Sequence, residues 1–131
     1  MNNLIFTLPL IFLVFLAGCS TYGPKTTTTT ETPPVTTGAE KIVEITSAGF
    51  TPSTSTINVG DKVTFVNKDV APHWPASAVH PTHCEYKGCG AFDAKRGLAP
   101  GEPYPIVFDL VGNWKYHDHL NPEMTGTIVV Q

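Results

Sequence analysis

Basic residues are scarce in this chain of 131: eight Lys and Arg stand against eleven Asp and Glu, for a net charge of −3. Nucleic-acid binders concentrate positive charge on one face, so no nucleic-acid partner is expected. A sustained helical period is also missing, and twelve prolines work against long helices. Beyond the first part of the chain there is no apolar run long enough for a second membrane segment. Cysteine is limited to Cys19, Cys84 and Cys89.

What is present begins with an apolar stretch, Leu4 to Ala17, broken only by Thr7 and Pro9. It is short for a bilayer span and suits the core of a secretory signal. It ends in Leu16-Ala17-Gly18-Cys19, which resembles the lipobox of bacterial lipoproteins. That resemblance implies a signal peptide over 1–18, a lipid on Cys19 and export to the cell envelope, on its periplasmic or extracellular face. Residues 19–39 are rich in Thr, Pro and Gly, with five consecutive threonines from Thr26 to Thr30, and read as a disordered tether. With Cys19 carrying lipid, Cys84 and Cys89 remain as an even pair in an oxidising compartment. The Cys-x4-Cys loop around Gly88 can close on itself as a disulfide; thiolate ligation of a metal is the alternative.

Residues 40–131 form one domain with an all-β pattern. Lys41 to Ile45 and Thr54 to Val59 are rich in β-branched residues, and Lys62 to Asn67 alternates cleanly after a Gly60-Asp61 turn. Tyr104 to Leu110, Asn113 to Asp118 and Thr125 to Val130 complete the expected strands. Short strands at regular spacing predict a sandwich or barrel. Asn67 to Lys95 is irregular, rich in Pro, His and Gly, and holds both loop cysteines, as functional loops often do.

From about Ile42 to Val130 the order of motifs resembles the cupredoxins. The first half carries Phe50-x-Pro52, Ile57-x-Val59-Gly60-Asp61-x-Val63-x-Phe65-x-Asn67 and Pro72-His73. The second half carries Phe92-Asp93, Leu98-x-Pro100-Gly101, Phe108, Gly112-x-Trp114-x-Tyr116 and Met124-x-Gly126-x-Ile128-x-Val130. The resemblance implies a single Greek-key β-sandwich, copper as cofactor, and His73 as first ligand with Met124 as a weak axial one. The ligand strand departs from a blue-copper pattern. Counted from Gly112, or back from Met124 in the shortest loop, the cysteine position falls on Asp118 and the histidine position on Asn121. A longer register puts Tyr116 and His119 there instead. Neither supplies the sulfur that a blue centre requires.

The same strand offers His117-Asp118-His119, similar to the His-x-His strand of multicopper oxidases. Residues two apart on a strand share a face, so the two imidazoles can converge. With His73, His80 and His83 they make five histidines on two segments that the fold is expected to join. Copper is the expected metal and zinc the competitor, both suited to imidazole. Asp118, flanked by ligands, is expected to orient a histidine N–H rather than to bind metal. The expected function is non-catalytic: electron transfer, or copper handling with a redox or copper-transfer partner. A small copper-dependent enzyme and a metal-free interaction module are the alternatives.

Overall fold

The computed structural model describes residues 38–131; the signal segment, Cys19 and nearly all of the tether expected from the sequence lie outside them. Every regular element among the described residues is a strand. In chain order these are β1 (Glu40–Thr46), β2 (Gly49–Thr51), β3 (Thr54–Ile57), β4 (Lys62–Asn67), β5 (Pro75–Ser77), β6 (Pro103–Val107), β7 (Gly112–Asp118) and β8 (Asn121–Val130). They form two four-stranded sheets, ordered β2-β1-β4-β6 and β3-β8-β7-β5. The β1–β4 and β3–β8 pairs are parallel, and the remaining pairs are antiparallel.

Alternation decides which side chains enter the core. Val43 and Ile45 of β1 and Val63 and Phe65 of β4 are fully buried from one sheet. Tyr116 of β7 and Ile128 and Val130 of β8 meet them from the other. Phe65 lies 5.1 Å from Tyr116 and 5.3 Å from Phe92, centroid to centroid, so aromatic rings join the sheets. Gly126 is obligatory here, because the Tyr116 ring occupies the space a side chain would need. The turn into β4 closes at Gly60, with φ of 90°. There Asp61 accepts hydrogen bonds from the Ala39 and Asn58 amides at 2.7 and 2.8 Å.

Strand expectations shift at several points, among them β3, which ends at Ile57 rather than Val59, and the unexpected β2. β6 stops at Val107 because the Phe108 amide turns aside to the Asp61 carbonyl at 3.0 Å. β8 begins at Asn121 rather than Thr125, since it folds straight back along β7 as a hairpin partner. The irregular stretch also contains β5, whose three buried residues pair with Tyr116, His117 and Asp118. That pairing fixes the connector between β5 and β6 against the ligand strand.

Candidate metal centre

β7 presents His117, and past a register irregularity at His117 and Asp118 the turn that follows the strand presents His119. His119 is held by its amide, which donates to the Trp74 carbonyl at 2.7 Å. His80 and His83 come from the connector after β5. A tight turn places them: the Thr82 and His83 amides both donate to the Val79 carbonyl, at 2.8 and 2.9 Å. His83 takes a left-handed φ of 54°, unusual for a residue with a side chain and frequent at functional positions. Its carbonyl accepts from the Gly90 amide at 3.0 Å, across the loop closed by the Cys84–Cys89 disulfide.

One ring nitrogen from each of His80, His83, His117 and His119 lies within 4.8 Å of all the others. The two tightest pairs are His83 Nε2 to His119 Nδ1 at 2.8 Å and His80 Nδ1 to His117 Nε2 at 3.3 Å. Metal–imidazole bonds of about 2.0–2.1 Å would space the ligand atoms of a four-coordinate ion about 2.8–4.2 Å apart. The donor set therefore fits a single metal with only small closure. His83 and His117 are buried, His119 is half-buried and His80 faces water.

Protonation favours ligation. Burial, followed by the neighbouring imidazoles of His83, His80 and His119, lowers the His117 pKa to about 4. Burial and the same kind of crowding lower that of His119. Both rings are neutral at pH 7 and offer lone pairs. His83 is oriented by Asp93: its Nδ1–H donates to Oδ2 at 2.9 Å, which leaves Nε2 bare toward the cluster. Asp93 is itself held at a pKa of about 2. Burial opposes this, but hydrogen bonds from His83, Trp74 and the Lys95 amide outweigh it.

His73 lies outside the four-histidine group. Its Nδ1 faces Asp118 Oδ2 at 2.7 Å and its Nε2 faces Asp69 Oδ2 at 3.1 Å, so carboxylates occupy both nitrogens. Burial alone would lower its pKa, yet these two partners raise it, and both ring nitrogens face carboxylates rather than the cluster. Asp118 is fully buried and accepts from the Trp74 amide at 2.7 Å and the Leu120 amide at 3.1 Å as well. It thus orients His73, not the imidazoles flanking it. Met124 packs against the hydrophobic core. Cys84 and Cys89 are bonded to each other, so their thiolates are not donors. Sequence reasoning gave Asp69 no role, and it counted Asp93 only within the Phe92-Asp93 motif, since nothing in the sequence shows that Asp93 would face His83.

No family model matches the chain. A plastocyanin from Scenedesmus fuscus is 34% identical over 94 residues, spanning 63% of this chain and 86% of that protein. Among solved structures, a purple cupredoxin from Nitrosopumilus maritimus superposes with a TM-score of 0.59 at 25% identity, over 71% of this chain and 99% of that one. A Cu(I) amicyanin variant gives a TM-score of 0.57 at 27% identity, over 75% of this chain and 87% of that one.

Proposed function

This chain belongs to the cupredoxin family, and from that premise we propose that it binds one copper ion through His80, His83, His117 and His119. The observation that carries the proposal is the convergence of four imidazole nitrogens from two chain segments within 4.8 Å. Four nitrogen donors without thiolate suit copper(II) in a non-blue site. The fold and the order of affinities among divalent metals favour copper over zinc.

Bound copper would supply a one-electron couple. The chain's own contribution is to hold the buried His117 imidazole neutral, to aim His83 Nε2 at the cluster through Asp93, and to leave His80 at the water-facing edge. That arrangement supports electron transfer, as in the family, or capture and transfer of copper through the exposed ligand. The missing cysteine favours copper handling, because thiolate covalency is part of what makes a blue centre a fast electron carrier. The chain is read as a binding protein rather than an enzyme. A lipid on Cys19 and a tether through residue 39 complete the proposal and rest on the lipobox-like Leu16-Ala17-Gly18-Cys19. They would hold the domain at the outer side of a membrane, near a redox or copper-transfer partner.

Titration of the metal-free domain with copper(II) tests the site. One ion should bind per chain, and changing both His117 and His119 to Ala should lower affinity by at least 100-fold. Unchanged affinity in that double variant would defeat the assignment. Intact-mass analysis of membrane-extracted protein tests the anchor: a lipidated chain starting at Cys19 is expected, and an unmodified chain retaining Met1 would refute it.

A further inference from the structure

Four histidines close enough to share a metal need not point their lone pairs at it, and most of the ordering at this site passes through one residue. Trp74 follows His73 just ahead of β5, with its backbone fixed on both sides. Its amide donates to Asp118 at 2.7 Å, and its carbonyl accepts from the His119 amide at 2.7 Å. The side chain then touches two ligands in two ways. Its ring stacks on His119, 4.3 Å between centroids at 38°. Its Nε1–H donates to Asp93 Oδ1 at 2.6 Å, while Asp93 Oδ2 accepts the Nδ1–H of His83.

From this geometry we infer that Trp74 is the positioning residue of the copper site, setting His119 by stacking and the His83 tautomer through Asp93. The inference rests on the four-histidine reading. Its chemistry is specific. An ionised Asp93 carboxylate can only accept, and the indole on Oδ1 fixes its orientation so that Oδ2 faces His83 Nδ1; the imidazole proton then sits on Nδ1 and Nε2 is free for metal. That Nε2 faces His119 Nδ1 at 2.8 Å, inside the cluster. Trp114 plays no such part, since its Nε1–H donates to the Leu110 carbonyl at 2.8 Å.

Trp74→Phe keeps an aromatic face on His119 and deletes the N–H; Asp93→Asn deletes the carboxylate. Each should lower copper(II) affinity by roughly 10-fold or somewhat more, the usual cost of losing a group that orients a ligand. Because both act through His83, the double variant should be little worse than Asp93→Asn alone. Trp74→Leu should cost more than Trp74→Phe, since it also removes the stack.

One readout would not move for a merely structural residue. In the metal-free protein, nitrogen NMR should show His83 as the Nδ1–H tautomer, and as a mixture in both Asp93→Asn and Trp74→Phe. Additive losses in the double variant, or variants matching the parent in affinity and tautomer, would overturn the inference. If Asp93→Asn does not fold, Trp74→Phe still decides through affinity and tautomer. A parent domain that takes up no copper would instead defeat the four-histidine reading itself.

Discussion

Two kinds of histidine adjoin Asp118, His73 by contact and His117 by sequence, and their charge states oppose each other. His73 lies between the carboxylates of Asp118 and Asp69, which raise its pKa against the effect of burial. His117 is lowered to about 4, by burial first and by the other imidazoles second. A histidine raised on folding stabilises the fold below its unfolded value of about 6.5, and that stability is lost as pH rises through the folded value. A histidine lowered on folding does the reverse, so stability falls as pH drops from about 6.5 toward its folded value. The metal-free domain should therefore be most stable near pH 6.5, as chemical denaturation across pH 4 to 9 would show. His73→Gln should flatten the alkaline arm and His117→Gln the acid arm; an unchanged profile in both would contradict these assignments. Tyr116 offers a second test at this scale. Its hydroxyl is buried without a partner among the described residues, so Tyr116→Phe should stabilise the fold, by about 1 kcal/mol. Copper affinity should not change, since Tyr116 belongs to the core, and a marked loss would revive the register that makes it a ligand position.

At the scale of elements, the four clustered histidines come from β7 (His117), the turn that follows it (His119) and a loop (His80 and His83), and this divides what the sequence could reveal. The sequence paired His117 with His119 by two-residue strand periodicity; β7 ends at Asp118, and His119 is brought beside His117 from the following turn by its amide bond to the Trp74 carbonyl. His80 and His83 lie in a connector with no period, so their convergence depends on the left-handed His83 and the loop closed by Cys84 and Cys89. The parity of the cysteines favoured that bridge, but thiolate ligation stayed open until the loop geometry was known. β5 escaped detection because it is three residues long and opens with proline. His73 was the best-placed ligand by family position, yet the carboxylate at Asp118 converts that place into an ion pair. If the disulfide holds the connector in its ligating shape, Cys84→Ser with Cys89→Ser should leave the sandwich folded and weaken copper binding by about 10-fold or more, comparable to other losses of ligand support. Circular dichroism and a competition titration would measure both, and unaltered affinity would show that the turn at Val79 suffices.

For the whole molecule, the two sheets and their aromatic core make a rigid frame, and the order of apolar strands, turn glycines and prolines made that frame readable in advance. The position where the sequence register expects the family's cysteine holds Asp118, hydrogen-bonded to His73. The neighbouring His117 and His119 join the connector's His80 and His83 in a separate cluster. The account's central claim is that copper is held by those four imidazoles and by no sulfur. The most direct test is the combined absorption and paramagnetic spectrum of the copper(II)-loaded domain, with the disulfide intact. It should show nitrogen hyperfine coupling from imidazole, a wide copper splitting of the non-blue type, and no intense visible thiolate band, with His73→Gln leaving this signature in place. An intense blue spectrum, or a signature that disappears with His73→Gln and survives loss of His117 and His119, would contradict it.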